Sequence, residues 1–226
     1  MAVSFRRPIV ALMVLLLGAC ASPPPRLAAP PPPPVLDSDS ACLKDLRDMH
    51  VAFEPQAPFG QPGSCSVANP VKVSQGGQMG MNRPGVMSCT MARSVERFEQ
   101  QVVQPLARKI LGQPIARLQH MGTYDCRARR TEAAKASTGG ESGSKGGRLS
   151  EHGKGQAIDI GGFELVDGSV ISVKKDWRNA GKKSEFLQQL ARASCEHFTV
   201  VLTPNHNRLH NDHLHLDIGP HRLCGM

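Results

Sequence analysis

The segment His213-Leu214-His215-Leu216-Asp217-Ile218 places a histidine or aspartate beside an aliphatic residue at every step. A period of two belongs to a strand with unlike faces. The leucine face can enter a core, while the two imidazoles on the opposite face project together into a cleft. The stretch Ser150-Glu151-His152-Gly153-Lys154-Gly155-Gln156-Ala157-Ile158-Asp159 forms a second polar cluster. Gly153 and Gly155 oppose a helix through His152, so this is not the HExxH arrangement, in which two histidines share one helix face. The chain is expected to turn at the glycines and enter a strand from Ala157 to Ile160. On that strand Asp159 faces away from Ile158 and Ile160, and His152 can fold back toward it.

His152, Asp159 and His215 together would supply two nitrogen ligands and one carboxylate oxygen. A fourth tetrahedral position then stays open for water, as catalytic zinc requires. Zinc (Zn2+) would lower the pKa of that water toward about 7 and polarise a scissile carbonyl. A neighbouring imidazole on the same strand can handle protons. The competing interpretation is plain surface chemistry, since a single HxH pair is weak ground for a metal. Asp167, Asp176, His197, His206 and His221 read as solvated or structural.

The rest of the chain mixes helical and strand patterns, an α+β composition in one compact domain. A helix is expected over residues 40–50, with Ser40 as its cap and Leu43 and Leu46 on one face. Residues 63–77 alternate valines with polar residues between glycines and read as strand. Val95, Phe98, Val102, Leu106 and Ile110 mark a helix over 90–111 that Gly112 ends and Pro105 kinks. Two apolar runs around Asp167-Gly168 predict a hairpin with a type I′ turn. A helix capped by Ser184, with Phe186, Leu187, Leu190 and Ala191 inward, leads into a strand over 198–202. Between Arg130 and Leu149 the chain is rich in Gly, Ser and Lys and reads as a mobile loop. It is either a lid over a site or a surface insertion.

The N-terminus opens with Arg6 and Arg7, an apolar run too short to span a bilayer, and small residues before Cys20, the pattern of a signal peptide. Leu17-Gly18-Ala19-Cys20 resembles a bacterial lipobox, which implies cleavage before Cys20 and lipidation of that cysteine; the alternative is an ordinary signal peptide. Ala21, where inner-membrane lipoproteins usually carry aspartate, points to the outer membrane. Ser22 to Pro34 is proline-rich and favours extended polyproline II. If the roughly 20 residues from Cys20 to Cys42 are extended at ~3.1 Å each, the domain can stand up to about 60 Å from its lipid. Residues 1–19 are thus expected to be leader, 20–38 lipidated cysteine and spacer, and 39–226 the folded domain, periplasmic and anchored but not spanning.

Of the seven cysteines, six remain after Cys20: Cys42, Cys65, Cys89, Cys126, Cys195 and Cys224. An even number suits disulfides in an oxidising compartment. Pairing between sequence neighbours is favoured, with Cys195 to Cys224 holding the tail; free buried thiols are the alternative. No CxxC pair supports a cysteine zinc cluster. The net charge of +8 falls to about +6 without Arg6 and Arg7. Cell-wall polymer and anionic headgroups are the natural acidic neighbours of such a protein. The compartment and the lack of a binding motif argue against nucleic acid. A monomer is expected.

The first cluster resembles Ser-x-His-x-x-Gly-x-Ala-x-Asp, the first signature of the zinc D-alanyl-D-alanine carboxypeptidases, which share a fold with lysostaphin-type peptidases and the hedgehog domain. His213-Leu214-His215 resembles their second signature. From about Cys42 to Cys224 the chain is also similar to the extensin-like C-terminal family of proteobacteria, through Tyr124 to Arg130, Ser150 to Leu165, Phe198 to Pro204 and His210 to His221. The peptidase resemblance implies a small antiparallel sheet flanked by helices, with His152, Asp159 and His215 as zinc ligands. Arg127 falls where those enzymes have an arginine that steadies the substrate carbonyl, with Arg129 as its rival. Ser150 and His210 are further substrate-contact candidates. Glutamate usually stands three residues before the last ligand, and here the residue is the shorter Asp212. His213, which matches the endopeptidase branch, is the favoured proton handler, with Asp212 assisting or substituting. The resemblance implies hydrolysis of peptidoglycan stem peptides or crosslinks. A non-catalytic wall-binding module and a structural tether between outer membrane and wall are the other two readings.

Overall fold

The computed structural model describes Met1 and residues 37–61, 63–129 and 148–226. The segment expected to be a leader, Cys20, the proline-rich stretch and most of the Gly/Ser-rich segment fall outside them. The described chain is α+β, built on one mostly antiparallel nine-stranded sheet. Its path runs β1 (Ala52–Pro55), β4 (Pro70–Gln75), β5 (Gly80–Ser88), β6 (Ile115–Gly122), β7 (Ala157–Leu165), β10 (Leu214–Asp217), β9 (Val200–Leu202) and β11 (Leu223–Gly225). A ninth strand, β8 (Val170–Ser172), pairs with β7. Only β5 with β6 and β9 with β11 run parallel. The sheet is therefore larger than the small one expected. Several of its strands have only three or four residues, and tertiary pairing sets their extent. The strand pattern over 63–77 divides at Ala68-Asn69, and β3 (Ser66–Val67) joins β2 (Phe59–Gly60) in a separate ribbon.

The helices pack on this sheet through one apolar core. Phe186, Leu187, Leu190 and Ala191 of the Lys182–His197 helix are fully buried, and Phe186 meets Phe163 of β7 edge to face at 5.5 Å. That helix starts after Gly181, so Ser184 lies inside its first turn and donates its hydroxyl to Trp177 O instead of capping. The Asp37–Asp48 helix likewise begins before Ser40. Leu46 is fully buried and Leu43 packs against the same core. Ser88 caps the Cys89–Phe98 helix by accepting Met91 N–H. The helical run continues to Leu111 through π turns at Glu99–Val103 and Ala107–Leu111. They flank Pro105, which has no amide hydrogen to donate. Among the described residues no helix is long and apolar enough to cross a membrane.

The hairpin between β7 and β8 forms, but with a different turn. Leu165 N–H donates to Ser169 O and Gly168 N–H to Leu165 O, leaving a three-residue loop. Only Gly168 (φ +82°) enters the left-handed region, whereas a type I′ turn needs both central residues there. Asp167 stays out because its carboxylate accepts Ser169 N–H and the Gln113 amide. The disulfides are Cys42–Cys89, Cys65–Cys126 and Cys195–Cys224, with Cα separations of 6.2, 5.4 and 5.7 Å. Neighbour pairing thus holds for the last alone. Cys42 meets Cys89 because the first two helices pack together, and Cys65 crosses to the segment that carries Arg127.

Two buried carboxylates, Glu96 and Glu99, hold the turn between β4 and β5 by accepting Gly77 N–H and Gln78 N–H, each at 2.9 Å. Burial, then the charge of Glu96, pushes Glu99 from its usual 4.5 up to about 8, against hydrogen bonds from Gln78 and Gln104. Because the folded pKa is the higher one, the contribution of Glu99 to stability is complete below pH 4.5 and is lost as pH rises toward 8. Glu99→Gln should therefore gain stability relative to the parent across that interval in denaturant unfolding series. A constant difference between the two proteins at all pH values would contradict the buried neutral acid.

Candidate metal centre

Antiparallel pairing of β7 with β10 sets Leu214 opposite Ile160, His215 opposite Asp159 and Leu216 opposite Ile158. The aliphatic residues of both strands are fully or almost fully buried. The same alternation turns Asp159 and His215 to the other face as a directly opposed pair. His152 reaches them from a short 3-10 turn, Glu151–Lys154, at the glycines where a turn was expected. Ser150 opens that turn with its hydroxyl toward His152 N–H, and Gly155 closes it at φ +63°. A side chain at Gly155 would also meet Ser88 N, which donates to Gly155 O at 2.8 Å.

Three ligand-type atoms converge. Asp159 Oδ1 lies 2.8 Å from His215 Nδ1 and 3.1 Å from His152 Nε2, and the two nitrogens are 3.2 Å apart. The outer nitrogens are committed elsewhere. His152 Nδ1 meets the Thr123 carbonyl, which can only accept, so the proton sits on Nδ1 and the lone pair of neutral His152 is on Nε2. His215 Nε2–H donates to Asp217 Oδ2 at 3.0 Å, which turns Nδ1 inward. Such outer partners fix the tautomer and orientation of metal-binding histidines. Burial opposes ionisation of both Asp159 and His215, yet their mutual contacts win. Hydrogen bonds to His152 and His215 hold the Asp159 pKa well below the ordinary carboxylate value, while Asp159 and Asp217 raise His215 to about 9. A proton on His215 is what a divalent cation would replace. His152, Asp159 and His215 are the group of acidic, histidine or cysteine side chains among the described residues that could hold a metal ion.

The rim carries the other candidates. His213 precedes β10; its Nδ1 is 2.8 Å from Asp212 Oδ1 and its Nε2 is 3.7 Å from Asp159 Oδ1. Asp212 therefore orients His213. Arg127 places Nη2 3.8 Å from Asp159 Oδ2 and is braced by Asp125 at 2.7 Å. Arg129 is instead turned onto Glu151, at 2.9 Å, and is not brought to the centre. Ser150 is buried, and its hydroxyl accepts His152 N–H as the cap of the turn. His210 stands with its ring 5.2 Å from that of His213 and 5.9 Å from that of His215, donating Nδ1–H to Asn207. Burial, then the neighbouring imidazoles His213 and His215, pushes its pKa down to about 4.

Sequence reasoning assigned no role to Thr123, Asp125, Glu151 or Asp217. The position of Asp217 two residues after His215 was the available signal. A backbone carbonyl such as that of Thr123 leaves none. The model of the family described as Extensin-like protein C-terminus matches residues 40–225. No curated protein and no solved structure matches the chain.

Replacing Asp217 by Asn removes the anionic acceptor behind His215. Capture of a divalent cation, followed by competition against a chromogenic chelator, should weaken by about 10–100-fold. Unchanged affinity in a folded variant would show that Asp217 does not support the centre.

Proposed function

We propose that this chain, which belongs to the extensin-like protein C-terminus family, is a zinc peptidase of the bacterial envelope that hydrolyses peptide bonds in peptidoglycan. The convergence of three donor atoms, with the outward nitrogen of each imidazole already engaged, carries this reading. Two imidazole nitrogens and a carboxylate oxygen suit zinc, and their spacings approach the ~3.3 Å edge of a tetrahedron with ~2.0 Å bonds. When bound, zinc supplies Lewis-acid polarisation and a better water nucleophile.

The chain's own groups account for the rest. His213 holds its Nδ1–H against Asp212, so its Nε2 lone pair can take a proton from water and return it to the leaving amine. Arg127, steadied by Asp125, offers its guanidinium to the carbonyl oxygen as negative charge develops. His210, with a depressed pKa, adds a neutral imidazole to the same wall. The lipobox resemblance and the proline-rich spacer support attachment at the outer membrane, with the domain reaching the wall.

The test is digestion of purified muropeptides with added zinc, read by mass spectrometry beside metal analysis. The parent protein should bind about one zinc and release cleaved products. His152→Ala should lose both, and His213→Ala should keep the metal while turnover falls by roughly 10²–10⁴-fold. Absence of new products from the parent would contradict the peptidase reading; binding to wall material without cleavage would assign a binding module instead.

A further inference from the structure

The connection from β8 to the Lys182–His197 helix carries Lys174, Lys175, Arg178, Lys182 and Lys183, all exposed. The ion pairs among the described residues use other cations, so these five have no carboxylate partner there. Asp176, the one acid within residues 174–183, has turned its Oδ2 to Ser172 N–H. Helix formation does not favour this placement. Lys182 and Lys183 occupy the first turn of a 16-residue helix, where aligned peptide dipoles disfavour positive charge, and Gly181 offers no compensating cap.

The connection is fixed to the loop beside the metal centre. Trp177 is buried and donates Nε1–H to Asn205 Oδ1 at 3.0 Å, and Arg178 donates to Pro204 O at 2.8 Å. From Asn205 the chain runs through Asn207, which accepts from His210, to the ring of His210 beside His213. A single short loop thus links five cations that have no carboxylate partner among the described residues to the wall of the candidate site.

We propose that this cationic connection is a docking surface for the carboxylate-bearing polymer on which the centre acts. The polymer's identity rests on the peptidase reading given above. An exposed lysine gains little from one carboxylate in water. A chain presenting many carboxylates engages several lysines at once, and each contact raises the effective concentration for the next. The surface therefore discriminates polymer from short peptide and acts through long-range attraction that salt screens.

The experiment compares the parent with the variant Lys174→Gln/Lys175→Gln/Lys182→Gln; Arg178 and Lys183 are kept because they donate to Pro204 O and Val170 O. Both are sedimented with insoluble peptidoglycan sacculi and, in parallel, with anionic phospholipid vesicles, at low and high salt. The account expects apparent affinity for sacculi to fall on the order of tenfold in the variant. High salt should weaken the parent in the same direction, and cleavage of short soluble muropeptides should not change. Equal sedimentation of the two proteins overturns the proposal. So does loss confined to vesicles, which gives the surface to lipid headgroups. His152→Ala separates the two readings. If it sediments like the parent while neither cleaves, docking stands and the peptidase reading fails.

Discussion

The register that sets His215 opposite Asp159 is the constraint on which the site depends. Alternation makes the choice of register and the choice of face one event, since a slip by one residue would turn Leu214 and Leu216 to the cleft and the polar groups to the core. Burial of Leu214, Leu216, Ile158 and Ile160 therefore specifies where the imidazole and carboxylate stand. The apolar face supplies the free energy, and the polar face inherits its geometry.

The third member of the cluster is held by different means. His152 sits on a single 3-10 turn, too short to be stable alone. Its supports are the Ser150 cap, the left-handed Gly155, the Thr123 carbonyl and the bond from Ser88 N–H to Gly155 O. Glu151, buried beside it, accepts from Arg129 at 2.9 Å and pairs with Lys154. Arg129 also ties the turn to the base of the 130–147 segment, where its N–H donates to Arg148 O. The residue first considered as a rival substrate contact is thus part of the frame around the ligand loop.

Much of this was legible in the sequence because local rules and tertiary packing agree. The alternation around His215 identified a strand and its faces, and the period through Phe186, Leu187, Leu190 and Ala191 identified a buried helix face. Elements shaped by distant contacts were less legible. The short strands β1 and β11 carry too few residues for a period, so the size of the sheet was not readable. Disulfide partners depend on which elements meet, which is why Cys42 and Cys65 pair across the fold rather than with each other. Side-chain competition also changed details. Ser184 found Trp177 O, and Asp167 found Ser169 and Gln113, so neither behaved as a cap or type I′ turn residue would.

The central claim is that His152, Asp159 and His215 share one zinc ion through their inward atoms. A crystal of zinc-treated protein, measured on both sides of the zinc absorption edge, tests it most directly. The account predicts one strong anomalous peak about 2.0–2.2 Å from His152 Nε2, an Asp159 carboxylate oxygen and His215 Nδ1. A map with no peak among those atoms, or with zinc held elsewhere on the chain, would contradict it.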